Sequence, residues 1–221
     1  MRKRALIDLL IVVVGCAAVI LVGQRVGLPG PGSWMVLAGV LLAIWRLASA
    51  SQSLATVGLR APARWWVGLL WVAALYAAVI LGGLFIVAPL ARAYGWRALD
   101  LSRFSGLSGD ARVLAAYLAL AWTSAAIGEE FLFRGFLLAR IETALGGGTI
   151  AAAAAIAIQA ALFGVGHSYL GMRGAATAAM VGLVFGIGFW LNGRSLIPLM
   201  IAHGLTDTIS LLAIYAGAHP G

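Results

Sequence analysis

Apolar stretches long enough to cross a lipid bilayer recur seven times along this chain, and no other feature constrains its fold as tightly. A helix crossing the hydrocarbon core needs roughly 20 apolar residues, fewer where neighbours shield its ends. In that medium each segment must satisfy its own backbone N–H and C=O groups, so the stretches predict helices. They run near Ala5 to Val22, Ser33 to Ala48, Trp65 to Leu90, Arg112 through Glu130 toward Arg140, Thr149 to Gly166, Gly174 to Leu191 and Ser195 to Ala216. The breaks are explicit: Gly27-Leu28-Pro29-Gly30-Pro31-Gly32, the polar connector Ser49 to Arg64, Gly146-Gly147-Gly148 and Asn192-Gly193-Arg194. Between the third and fourth stretches, Ala91 to Asp110 mixes Arg92, Arg97, Asp100 and Arg103 with Tyr94, Trp96 and Phe104. That mixture predicts a segment lying along the interface rather than a span. The expected fold is all-α, a polytopic membrane bundle of about seven to eight transmembrane helices with any active site in its interior.

Composition excludes the soluble alternative. The chain is 63% hydrophobic and 10% charged, with a mean hydropathy of +1.03, whereas a soluble domain carries roughly 25% charged residues. Its net charge of +8 comes from 15 Lys and Arg against 7 Asp and Glu, but the cations are scattered at loop ends and form no stripe. Lipid headgroups are therefore the expected partner and nucleic acid is not. The single cysteine, Cys16, excludes an internal disulfide and any cysteine-based zinc site. Met1 to Arg4 followed by an apolar run has the look of a secretory signal. Asp8 interrupts that run, however, and it continues past Cys16 to Val22, which predicts a retained first span. Lys3 and most arginines fall on one side if the N-terminus is cytoplasmic, which favours that orientation. The expected location is a bacterial inner (plasma) membrane, as an integral multi-pass protein.

Ionisable groups inside a span cost about 2.5–3.5 kcal/mol each on insertion scales and so mark function by default. Three sets stand out: Glu129, Glu130 and Arg134 on the fourth helix, His167 at the end of the fifth, and His203 with Asp207 on the seventh. Glu130 and Arg134 are spaced i, i+4 with the acid first, which favours an ion pair and leaves Glu129 for chemistry. Gln159, Phe163 and His167 repeat every four residues, as do His203 and Asp207, and lipid cannot satisfy such faces, so they are expected to converge. Glu129 with His167 then suits a general base pair that activates water, and His203 suits a donor to an oxyanion. No serine or cysteine forms a convincing triad, which leaves water as the nucleophile. Glu129, His167 and His203 would also serve as a zinc set, although HExxH is absent and the expectation is a reaction without a cofactor.

Glu129-Glu130-Phe131-Leu132-Phe133-Arg134 fits EExxxR, Phe163-Gly164-Val165-Gly166-His167 fits FxxxH, and His203-Gly204-Leu205-Thr206-Asp207 fits Hxxx(N/D). In that order on separate helices, the motifs resemble the CPBP family of intramembrane endopeptidases. That family includes the type II CAAX prenyl proteases and bacteriocin-processing and immunity relatives. The resemblance covers roughly Arg112 to Leu212, with weaker echoes at Gly58-Leu59-Arg60 and at His167-Ser168-Tyr169-Leu170-Gly171. It implies a glutamate-dependent peptidase acting on a peptide or prenylated protein, with residues 112–217 as the catalytic helical core and 1–111 as N-terminal helices and interfacial segment. It further implies that Glu129 activates water shared with His167, that His203 and Asp207 stabilise the oxyanion, and that Glu130, Arg134 and Phe163 support them. Type II CAAX proteases usually carry Asn where this chain has Asp207. An ionised carboxylate would repel an oxyanion, so Asp207 is expected to be neutral or paired with a charged His203.

Two other readings stand beside the peptidase. Intramembrane Glu, His and Asp also build proton pathways, but a coupled transporter shows internal repeats or paired broken helices, and none is visible here. A catalytically silent scaffold or immunity-type protein would keep the fold and tolerate loss of Glu129. Oligomeric state is left open, and His219 is assigned no role.

Overall fold

The computed structural model describes residues 1–217, so His219 lies outside the described residues. Seven helices are long and apolar enough to cross a membrane, and among the described residues there is no strand. They are α1 (Arg2–Arg25), α2 (Pro31–Ala48), α3 (Trp65–Ala93), α4 (Ala111–Leu145), α5 (Gly148–Gly166), α6 (Gly171–Leu191) and α7 (Ile197–Tyr215). Each agrees with its predicted stretch to within a few residues, and the chain is a multi-pass membrane protein. Large apolar side chains such as Trp65, Leu70, Leu84 and Phe85 stand exposed on the outside of the bundle. Water would not tolerate that surface, but lipid does.

The helix ends follow local chemistry. Gly30 is left-handed at φ 60°, and Pro31 opens α2, where its missing N–H costs nothing. The Asp110 carboxylate accepts the N–H groups of Arg112 at 2.9 Å and Val113 at 3.1 Å, capping α4. Gly58, with φ 91°, cannot be any other residue without collision, since a Cβ there would sit 2.6 Å from the Arg194 carbonyl oxygen. This close approach lets the connector after α2 brace the loop before α7. Leu196 N–H donates to Gly58 O at 2.9 Å, and Ser195 Oγ donates to Arg60 O at 2.9 Å. The faint motif at Gly58 to Arg60 thus has a structural purpose.

Two helices are wound more widely than α. Around Gly83–Val87 in α3 the Ala88 N–H bonds the Gly83 carbonyl, just before Pro89, whose ring lacks the N–H that an α-turn would use. The larger case is the middle of α4, Ala121–Leu137, at whose end Leu138 N–H reaches Phe133 O, five residues back. A wider turn rotates successive residues by less than the roughly 100° of an α-helix. Glu129 and Glu130 therefore diverge less than α-helical spacing predicts.

Close packing is arranged by small residues. A Cβ on Gly182 would lie 2.7 Å from the Ala160 Cα, and one on Gly164 would lie 2.8 Å from the Ala175 carbonyl oxygen. Because those hydrogens are all that separates α5 from α6, Gln159 Nε2 reaches across to donate to Gly182 O at 2.8 Å. The core beside this seam holds Phe136, Phe185, Phe189, Leu196 and Leu199, each nearly or fully buried.

The count of three intramembrane polar sets is corrected to four. Asp8 of α1, read in sequence only as an interruption of an apolar run, is completely buried. Its Oδ1 lies 2.8 Å from Arg46 Nε of α2, and its Oδ2 lies 2.9 Å from Arg140 Nε of α4. Sequence assigned both arginines to loop ends, where headgroups attract them. The buried acid recruits them instead, because an unpaired carboxylate is far costlier in a bundle than a snorkelling arginine is at its rim.

Candidate active site

The polar residues of α4, α5 and α7 meet in the bundle interior. Their centre is Glu130, whose side chain is 0% exposed and whose Oε1 takes two partners. Arg134 Nη1, one turn along α4, donates to it at 2.8 Å, and His203 Nδ1 of α7 does so at 2.8 Å as well. A buried carboxylate holding two donors is the arrangement by which ionic groups are retained in a low-dielectric interior. Aromatic faces complete the shell. Arg134 Cζ lies 4.2 Å from the Phe163 ring centroid and 5.5 Å from that of Phe185, both within cation–π range.

Phe163 is the common wall of the two histidines. Its ring centroid lies 4.5 Å from the His167 imidazole and 6.4 Å from that of His203, which Phe185 approaches from another side at 6.0 Å. His167 follows the last residue of α5, and its Nδ1 lies 2.8 Å from Phe163 O. A carbonyl only accepts, so Nδ1 carries the proton and Nε2 of the neutral ring is left as an acceptor. His203 is fixed differently. Its Nδ1–H is committed to Glu130, and its Nε2 lies 3.5 Å from Asp207 Oδ2, one turn further along α7.

Glu129 is the least committed member. Its Oε2 is buried without a hydrogen-bond partner in the protein, and the carboxylate is close enough to feel the charges of His203, His167, Asp207 and Arg134. The site grades from dry to accessible. Glu130 and Arg134 are sealed, while His167 is partly exposed and the Asp207 side chain is 31% exposed. Zinc was the alternative for Glu129, His167 and His203, yet no three His, Cys, Asp or Glu side chains among the described residues are grouped as a ligand set.

Residues 111–209 match the Rce1-like family, described as type II CAAX prenyl endopeptidase Rce1-like. Over that segment the chain is similar to the CPBP/CAAX protease family. Neither a curated protein nor a solved structure matches the chain. The matched segment contains every residue that the three sequence motifs singled out, and membrane-embedded proteolysis is the class of activity to which the similarity points.

Around the matched segment, the structure adds residues that motif reasoning passed over. Gly204, next to His203, lets the Trp122 ring lie flat on α7, since a Cβ there would fall 2.6 Å from a ring carbon. Trp122 Nε1 also donates to Thr208 Oγ1 at 3.2 Å, so one indole fixes α4 against α7 beside the residue that contacts Glu130. Tyr169 stacks on His167 at 5.9 Å and beneath Arg103 at 4.2 Å, and Asp100 N–H donates to Leu170 O at 3.1 Å. The interfacial segment before α4 is thereby fastened over the end of the bundle where His167 sits. Its own turn is firm, for the Ser102 hydroxyl and N–H hold the Asp100 carboxyl below its ordinary range. Arginine beside tyrosine in a polar connector carries no motif, so only the fold reveals that pairing.

Proposed function

We propose that this protein is a glutamate-dependent intramembrane endopeptidase whose nucleophile is a water molecule activated by Glu129 and His167. The observation that carries the reading is the buried, unpartnered Glu129 carboxylate oxygen, close enough to both histidines to feel their charge, while Oε1 of its neighbour Glu130 already holds two donors. A water bound there donates one hydrogen to Glu129 and another to the acceptor nitrogen Nε2 of His167. As its oxygen attacks the peptide carbonyl, Glu129 takes the proton and the carbonyl electrons move onto oxygen. His203 stabilises that oxyanion through Nε2–H, which it can do only while it carries both protons, Nδ1–H being held by Glu130. Arg134 holds the Glu130 carboxylate in place through its hydrogen bond, and Phe163 packs against both imidazoles. Protonated Glu129 then passes its proton to the leaving amine as the C–N bond breaks. Asp207 holds His203 from the accessible side. The reaction as written needs no metal.

In this reading residues 112–217 are the catalytic core, residues 1–111 support it, and the substrate is a peptide or prenylated protein presented at the membrane. In the same reading the protein resides in a bacterial inner membrane, and the Lys and Arg count supports a cytoplasmic N-terminus. The test is hydrolysis by the purified protein of a prenylated peptide and of a detergent-solubilised membrane proteome. Glu129→Gln is expected to lose about 10²–10⁴-fold in rate with an unchanged melting temperature. Wild-type protein that cleaves neither substrate, or a Glu129→Gln variant as fast as wild type, would leave a scaffold in its place.

A further inference from the structure

Arg92, Trp96 and Arg173 enclose an open cavity of about 450 Å³ between the end of α3 and the first turn of α6, floored by Ala88, Ala91 and Gly95. The backbone that shapes it is defined by its hydrogen bonds. Gly95 is left-handed at φ 61°, its N–H bonds Arg92 O at 3.4 Å, and Trp96 N–H folds back to Ala91 O at 2.9 Å. This double closure of a helix C-terminus fixes the path that carries Trp96 back against the helix it has just left. Among the described residues no carboxylate pairs with Arg92 or Arg173, whereas Arg46, Arg134, Arg140 and Arg194 all have acidic partners. Two uncompensated guanidiniums and an indole therefore face one cavity.

We propose that this cavity binds the phosphate headgroup of an anionic membrane lipid. Guanidinium forks match phosphate oxygens in geometry as well as in charge, and an indole with one polar edge belongs at the headgroup level. What argues for a lipid over a soluble phosphate is the surface next to the cavity. Phe85 and Leu90 of the same helix, and Met172 beside Arg173, are exposed apolar side chains that would line the path of an acyl chain. The small residues of the floor leave room for the headgroup where larger side chains would fill it. The site is independent of the proposed peptidase chemistry.

Native mass spectrometry of the full chain, released from micelles containing equal amounts of phosphatidylglycerol and zwitterionic phosphatidylcholine, tests it. Wild type is expected to retain one phosphatidylglycerol in preference to phosphatidylcholine. Each of Arg92→Gln and Arg173→Gln should weaken that retention about fivefold, and the double variant should abolish the preference. Arg92 is exposed, so its single substitution reports on binding even if the Arg173 variant folds poorly. Equal retention of the two lipids by wild type, or an unchanged preference in Arg92→Gln, overturns the proposal. Displacement of phosphatidylglycerol by millimolar inorganic phosphate also overturns it, since the ligand would then be the soluble anion.

Discussion

Glu129 and Glu130 are neighbours in sequence with opposite circumstances. Glu130 is sealed and doubly bonded, and removing it deprives the buried Arg134 guanidinium of the carboxylate to which it is hydrogen-bonded. Glu130→Ala is therefore expected to destabilise the protein by about 3–5 kcal/mol, the usual result of breaking a buried pair from one side. A thermal melt in detergent checks this, and a melting temperature equal to wild type would show that the pair carries no structural weight. Asp207 differs again. It is partly exposed and stands 3.5 Å from His203 Nε2, a distance at which an amide oxygen can take its place without losing a short hydrogen bond. Asp207→Asn should thus retain activity within about tenfold. An inactive but folded Asp207→Asn variant would show that the negative charge itself is needed to hold His203 in its doubly protonated form.

At the scale of elements, the wide winding of α4 and the close contact of α5 with α6 bring the motifs together. The contact leaves no room at Gly182, where a Cβ would already crowd the Ala160 backbone, and backbone cannot move aside as a side-chain end can. Gly182→Val should force the helices apart, lose the Gln159 bond to Gly182 O, and destabilise the fold by about 1–3 kcal/mol or more. Substitution of Gly83, which meets nothing within 4 Å, is the matched control in a melting experiment. If both variants melt alike, the close approach is not what holds α5 to α6. The span positions were legible from hydropathy, since each helix must carry its own apolar surface. The winding of α4 was not, because whether a backbone bonds four or five residues back depends on what packs around it.

The whole molecule is tied across its sequence by Asp8, which joins α1 to α2 and to α4 at the end of the bundle that also carries the bidentate Arg194–Glu142 pair, at 2.8 and 2.9 Å. Asp8→Asn leaves two arginines competing for one neutral side chain. It should lower the melting temperature while leaving the rate at low temperature close to that of wild type, because Asp8 belongs to none of the site contacts. Loss of rate without loss of stability would instead make the N-terminal hairpin part of the catalytic apparatus.

Membrane residence, the number of crossings and the candidate acids and imidazoles could be read directly from residue order. Each of these follows from transfer energy or spacing within one segment, and a segment carries that information alone. Residue order also marked Glu130 and Arg134 as a pair, because both lie on one helix. It did not reveal that His203 would claim the same oxygen, that Asp8 would draw Arg46 and Arg140 inward, or that Tyr169 would lie beneath Arg103. Those partnerships join residues distant in the chain, and a buried charge is satisfied by whichever donor the packed helices bring within about 3 Å.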